Sequence, residues 1–407
     1  MIASVLRVLR EGPLSSLSGE GPPRELENAF RNRFDVAFAV SSNSGTSALL
    51  AALFAAGVQP GDEVIAPALA PAYAMAVILH FRALPVLADV DPLTLTIDPA
   101  SVEERLGART KAIIAVDLSG HPTDLDGLRR IVAGSRITII EDCAQAFGAE
   151  YRGKPVGYVR EGEIACFSLQ ESKNLSGGEG GMLLTQDRES FERACLVGQH
   201  PARLYEELKI ERYRRYWETG LGLSLRIHPV AAAIALAALE DVDDALRARR
   251  ENAAYLNEHL AGLTGISATY VAPGCIHAYN VHPFFYDPHA FGRLPVEEFV
   301  AAARARGLDL DVFPDPIYET ALFRRREFFG LGGSWEENDR ARGLYDRDSF
   351  PGAEAARRRA VFLRGGAARD AAAEAGATGV GATPGQLDWV IQELNALTKI
   401  ISQKKET

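Results

Sequence analysis

Lys173 stands between a short apolar run, Ile164 to Phe167, and a glycine-dense turn, in the stretch Ser168-Leu-Gln-Glu-Ser-Lys173-Asn-Leu-Ser-Gly-Gly-Glu-Gly-Gly181. Glycines allow backbone angles closed to other residues and let a flat ligand approach closely. A lysine enclosed there loses water, its pKa falls, and its free amine can attack an aldehyde. A lone loop lysine is more often solvated, so its company upstream decides. Ser44, Gly45 and Thr46 open an Ala/Leu helix, where free N–H groups, hydroxyls and the helix dipole suit a phosphate. The same residues also serve as a plain N-cap. Asp142, with Gln145, follows the apolar run Ile137 to Ile140. An aspartate beyond a strand end can pair with a pyridinium nitrogen and keep the ring an electron sink, or it can cap the next helix. Ser168 adds a second hydroxyl for a phosphate. Taken together these are the parts of a pyridoxal phosphate site.

The elements around them read as α/β. Apolar runs of four to six residues (Val36 to Ser41, Glu63 to Ala66, Pro85 to Asp89, Lys111 to Val116, Ile137 to Ile140) alternate with helical segments. That is the pattern of a mostly parallel sheet covered on both faces. Leu26, Phe30 and Phe34 share one helical face directed at a core. Pro229 to about Leu260 predicts a long Ala/Leu-rich helix. Beyond it the alternation loosens into a smaller α+β lobe, with strands at Tyr279 to Phe285 and Asp309 to Val312 and helices at Pro295 to Arg306 and Gln386 to Ile400. The expected division is an arm at 1–20, a large cofactor-binding domain at 21–245 and a small domain at 246–407. Gly330 to Phe350 is polar and Gly-rich, a candidate mobile loop, and Gly365 to Gly381 is a short low-complexity run.

At 407 residues the chain has room for two lobes, and 47% hydrophobic with 24% charged residues is a globular balance. A net charge of -10 argues against a nucleic-acid binder, which shows a basic face. No apolar run is long enough for a membrane span, and Met1 to Arg10 lacks the ordered regions of a signal peptide. Four scattered cysteines without a Cys-x-x-Cys pair read as reduced thiols in a cytoplasm, with no metal site.

Five segments carry a resemblance: Asn43-Ser-Gly-Thr-Ser-Ala-Leu, Gly61-Asp-Glu-Val-Ile-Ala-Pro, Asp89-Val-Asp-Pro, Glu141-Asp-Cys-Ala-Gln-Ala-Phe-Gly-Ala and Phe167-Ser-x-x-x-x-Lys-x-Leu-x-x-Gly-Glu-Gly-Gly. Through them the chain, from about Gly21 to its C-terminal helix, resembles the DegT/DnrJ/StrS family of pyridoxal phosphate (PLP)-dependent sugar and cyclitol aminotransferases. The resemblance implies fold type I, with a mostly parallel seven-stranded sheet covered by helices and a smaller C-terminal α+β domain. It implies Lys173 as the Schiff-base lysine, Asp142 as the pyridinium partner, Gln145 near the phenolic oxygen, and Ser168, Gly45 and Thr46 on the phosphate, beside Ser44. Two positions depart from the family's pattern. Pro71 stands where the family stacks an aromatic ring on the cofactor, leaving Tyr73 to substitute. Ser224, in Gly222-Leu-Ser224-Leu-Arg226-Ile, stands where the family has an asparagine that reaches the phosphate of the partner subunit.

The implied reaction is ping-pong transamination from L-glutamate or L-glutamine to a keto-sugar or ketocyclitol of specialised metabolism, in a homodimer with a shared active site. Within that reading His200, Tyr318 and the Gly330 to Phe350 loop are candidate substrate contacts. The alternatives are a dehydratase, oxidase or decarboxylase on the same fold, and a non-catalytic PLP-bound regulator.

Overall fold

A computed structural model describes residues 1–325, 345–364 and 382–403. The low-complexity run at 365–381 and residues 330–344 of the Gly-rich loop lie outside the described residues.

The N-terminal half contains seven long strands and two short ones, β1 Phe38–Ser42, β2 Glu63–Pro67, β3 Leu84–Ala88, β4 Thr110–Val116, β5 Thr138–Asp142, β6 Glu150–Tyr151, β7 Lys154–Pro155, β8 Ile164–Ser168 and β9 Gly181–Thr185. The long strands form one sheet in the order β1-β9-β8-β5-β4-β2-β3. Neighbours from β3 through β8 are parallel, and β9 runs antiparallel between β8 and β1. Every residue of β2, β3 and β9 is buried. Continuous apolar runs of this kind belong to a sheet covered on both faces. The parallel order brings the ends of β4, β5 and β8 to one edge, and Asp142 is the last residue of β5.

Helices Gly45–Ala55, Ala72–His80 and Arg188–Gly198 contribute buried side chains to the sheet's core. A second core joins helix Pro22–Phe34 to the sheet, where Phe30, Phe34, Phe147 and Phe167 interlock with ring centroids 4.9 to 5.9 Å apart. Leu26, Phe30 and Phe34 are all buried there, as their spacing predicts.

The helix Pro229–Leu260 spans 32 residues without a break, its first turn capped by His228. The expected 245/246 boundary falls inside it, so it passes from one lobe to the other as a single rod. Strands β10 Ile266–Ser267, β11 Cys275–Ile276, β12 His282–Tyr286, β13 Leu310–Val312 and β14 Ala360–Leu363 follow. Four of them form an antiparallel sheet, β10-β12-β14-β13, with helices Val296–Arg304 and Pro384–Gln403 in its core. The fifth, β11, pairs with β6 and ties the C-terminal half back to the first.

Further contacts join the two halves of the chain, among them two just beyond the ends of β3 and β2. Asp89, just beyond β3, accepts the N–H groups of Gly352 and Ala353 at 2.7 and 2.8 Å, capping helix Pro351–Arg359. Ile317 N–H donates to the Ala68 carbonyl at 2.9 Å.

Candidate active site

A cavity of about 440 Å³ opens at the edge where β4, β5 and β8 end, and it gathers Ser44, Gly45, Thr46, Tyr73, Asp142, Gln145, Ser168 and Lys173. Eight residues singled out from the sequence therefore meet in one place.

Ser44 is the N-cap of helix Gly45–Ala55, and its hydroxyl oxygen accepts the Ser47 N–H at 3.1 Å. The N–H groups of Gly45 and Thr46 lie in the first turn, where the helix supplies no acceptor. They are the donors an anion would take. A Cβ on residue 45 would lie 2.8 Å from Ser168 Cβ, and one on residue 181 would lie 2.2 Å from the Ser44 carbonyl oxygen. These glycines let the loop, the helix start and the strand end close into a cup, and a phosphate fits its donor set. Gln145 is oriented by the backbone: its Oε1 accepts the Ser119 N–H at 2.7 Å. Ser119 holds the left-handed conformation, φ 62°, that aims this donor.

Lys173 and Asp142 act on each other's charge. Burial lowers the Lys173 pKa from its ordinary value, partly opposed by Asp142. Burial pushes the Asp142 carboxyl up to about 6, against the pull of its hydrogen bond from Ala144 N–H and of Lys173. The amine is thus biased toward its neutral, nucleophilic form. The acid lacks a full counter-charge, and a cationic ring would supply one. The donors, the amine and the carboxyl together match the three parts of pyridoxal phosphate.

Three other candidates lie elsewhere. Tyr318 is buried, stacks on Phe350 at 4.8 Å and donates its hydroxyl to Glu354 Oε1 at 2.9 Å. Both ends of that side chain are committed to packing, which removes it as a wall of this cavity. His200 caps helix Pro201–Glu207 through Nδ1, which accepts the Ala202 N–H. Ser224 is exposed and outside the cavity, although the adjacent Leu225 carbonyl accepts the Asn43 N–H at 2.7 Å, tying that loop to the phosphate-suited turn. Pro71 and Tyr73 both line the cavity, and Tyr73 is 68% exposed.

Sequence reasoning missed Gln170 and Glu179, which line the same cavity. The signal was present: Gln170 is two residues past Ser168, in the turn that leads to Lys173, and Glu179 is the polar residue of the glycine turn. It also missed the support beneath the cup. Glu27 and Arg203, both 1% exposed, form a two-pronged ion pair at 2.8 and 2.9 Å. Glu27 Oε1 also accepts Ser41 N–H and Oγ–H, and Gln199 Nε2 donates to the Ser41 carbonyl. The end of β1, three residues before Ser44, is held from both sides.

The profile of the DegT/DnrJ/EryC1/StrS aminotransferase family matches residues 2–330. An L-glutamine:2-deoxy-scyllo-inosose aminotransferase of Streptoalloteichus tenebrarius is 36% identical over 355 residues, covering 81% of this chain and 80% of that protein. The protein of the same name from Streptomyces fradiae is 33% identical over 380 residues, covering 89% and 86%. Among solved structures, the sugar aminotransferase CalS13 from Micromonospora echinospora is similar at 27% identity and a TM-score of 0.76, covering 97% of this chain and 96% of that one.

Proposed function

The chain belongs to the DegT/DnrJ/EryC1/StrS aminotransferase family, and from that membership we propose that it carries an amino group from L-glutamine or L-glutamate to a keto-sugar or ketocyclitol in the making of an aminoglycoside-like metabolite. It is a PLP-dependent aminotransferase of fold type I. The observation that carries the reading is the meeting of a buried amine, Lys173, a buried carboxyl, Asp142, and a phosphate-suited helix start in one cavity. Relatives that act on 2-deoxy-scyllo-inosose support a polyhydroxylated ketone as acceptor and L-glutamine as donor.

In this reading Ser44, Thr46, Ser168 and the Gly45 N–H would hold the phosphate, Asp142 the ring nitrogen, Gln145 Nε2 the phenolic oxygen and Lys173 Nζ the aldehyde carbon. The bound cofactor supplies an electron sink for the pair left when a proton leaves the carbon bearing the nitrogen. Lys173 Nζ, kept neutral by burial, takes that proton from the donor's α-carbon. In the second half-reaction it returns a proton to the carbon that carries the new amine. The Asp142 carboxylate would hold the ring nitrogen in its positive form. Tyr73, Gln170 and Glu179 offer a hydroxyl, an amide and a carboxylate for the acceptor's hydroxyl groups.

The working unit in this reading is a homodimer. The exposed apolar residues Tyr216, Leu221 and Leu223 precede Ser224 in the chain and offer apolar surface to a second copy. A cytoplasmic setting accords with four free cysteines.

The test is the visible spectrum of the protein with PLP, taken before and after adding L-glutamine or L-glutamate without an acceptor. Conversion of the lysine-bound band to that of the amine form supports the donor half-reaction, and a panel of keto-sugars and ketocyclitols then identifies the acceptor. A lysine-bound band that neither donor converts sinks transamination from these donors and favours dehydratase, oxidase or decarboxylase chemistry.

A further inference from the structure

Two carboxyl groups lie behind Asp142, and neither forms an ion pair among the described residues. Asp117 follows β4, and Glu141 precedes Asp142 on β5; both are at most 2% exposed. Successive strand residues point to opposite faces. Asp142 accordingly lines the main cavity, and Glu141 lines a second one of about 220 Å³. A carboxylate oxygen from each of Asp117 and Glu141 lies within 4.8 Å of the other and of Cys143 Sγ.

Each carboxyl has one oxygen satisfied and one bare. Asp117 Oδ1 accepts the Thr123 N–H at 2.8 Å, and Glu141 Oε2 accepts the Gly157 N–H at 2.9 Å. Asp117 Oδ2 and Glu141 Oε1 are buried and have no hydrogen-bond partner among the described residues. The cavity that Glu141 lines also holds Arg129, Arg152, Lys154 and Arg160, but Arg152 and Arg160 pair with Asp126, Lys154 Nζ lies over the Tyr158 ring, and none of the four forms an ion pair with Glu141 or Asp117 among the described residues. Arg129 acts on Glu141, yet it is spent on both oxygens of Glu163 at 2.7 and 2.8 Å and on Asp126. Lys173 acts on Asp142. Burial holds the thiols of Cys143, Cys166 and Cys275 neutral, and Cys143 Sγ–H donates to the Glu141 carbonyl at 3.6 Å. Two like charges this close in a dry interior do not both ionise.

We propose that Asp117 and Glu141 share one proton between their two bare oxygens, and that this pair is a positioning element for Asp142. One O–H···O⁻ bond gives each bare oxygen its partner and removes one of three negative charges from the patch. The Asp117 N–H donates to the Asp142 carbonyl at 3.1 Å, so the pair is bonded to the backbone it acts upon. With the proton in place Asp142 can remain a carboxylate opposite a cationic ring; with three bare charges it would be driven to protonate. Burial holds both carboxyls of the pair well above the usual range, in the same sense. The effect on Asp142 rests on the proposed function, whereas the shared proton does not.

The experiment is infrared difference spectroscopy of the holoenzyme at neutral pH, comparing the wild type with Glu141→Gln and with Asp117→Asn/Glu141→Gln. The wild type should show the carbonyl stretch of a protonated carboxylic acid, and both variants should lack it. Glu141→Gln keeps a donor facing Asp117 and the same net charge, so the pH midpoint of the visible cofactor band should stay in place. The double variant removes one negative charge, and the midpoint should fall by about one unit. No protonated-acid band in the wild type overturns the proposal, as does a stoichiometric metal ion found by elemental analysis or a midpoint that does not move in the double variant. A missing band with transamination intact is a failure of this inference alone. A band present without transamination is a failure of the proposed function alone.

Discussion

Gln145 Oε1 accepts the backbone N–H of Ser119 at 2.7 Å, which fixes which end of that amide faces the cavity. The oxygen is taken, so the Nε2–H₂ end is turned toward a ligand. Gln145→Glu replaces that donor with an acceptor and sets a carboxylate against an anionic phenolic oxygen. The expected result is about tenfold weaker retention of pyridoxal phosphate, the size of one or two lost hydrogen bonds. Dialysis followed by absorbance measures it, and unchanged retention would remove Gln145 from the site.

Lys173→Ala should lower turnover by at least the ~10²–10⁴-fold that a positioned base contributes, and the lysine-bound visible band should vanish. The phosphate donors remain, so cofactor should still bind, non-covalently. Full activity in this variant would end the assignment of Lys173.

Asp142 makes a pH signature with an unusual sign. Its carboxyl is raised from 3.8 to about 6 by burial, so between those values the folded, cofactor-free protein holds a proton that the unfolded chain has released. Stability of the cofactor-free protein should therefore fall as pH rises through that window, by on the order of 3 kcal/mol at most. Cofactor affinity should rise over the same range as the carboxylate forms. Asp142→Asn should flatten this contribution in thermal melts and cripple proton abstraction while sparing the fold. A wild-type melt no steeper with pH than the variant's, or a fully active variant, would contradict it.

The buried Glu27–Arg203 pair predicts a large asymmetry. Arg203→Met leaves Glu27 with only the longer contact to Arg24 at 3.5 Å, so its cost approaches the ~3–5 kcal/mol of a broken buried pair. Adding Glu27→Leu should recover part of that loss, although Ser41 N–H and Oγ–H then lose their acceptor. Denaturant melts of the two variants decide it, and equal stability of single and double variants would refute the account.

Gly45→Ala tests the cup. The new Cβ would press on Ser168 at 2.8 Å, with Ser168 Cα at 3.1 Å, so backbone as well as side chain must move. Cofactor affinity should fall about tenfold or more, since donors displaced by an ångström no longer converge. Isothermal titration of the cofactor-free protein with PLP reads this directly.

Much of the site was legible because it is built from local chemistry. Ser44, Asp142 and Ser168 each stand at a strand end or helix start, and Lys173 lies in the glycine-rich connection from β8 to β9, all marked in the chain by apolar runs and glycines. The helix Pro229–Leu260 was equally plain, since its Ala/Leu content continues through both of its ends. Long-range pairing was not legible. Glu27 and Arg203 are 176 positions apart, and no periodicity links them. Strand β14 went unread because it is four residues long, between an arginine-rich helix and a low-complexity run. Tyr318 was misjudged because a tyrosine reads the same whether its hydroxyl meets a substrate or, as here, Glu354.

The clasp of Asp89 on helix Pro351–Arg359 bears on how substrates come and go. Swinging the C-terminal lobe away from the sheet would strip that helix of its anionic cap and leave two N–H donors bare, and it would also break the Ile317–Ala68 bond. A hinge that cost so much would open rarely. Separation of the two halves therefore breaks these three hydrogen bonds together. Small-angle scattering profiles with and without substrate should superimpose.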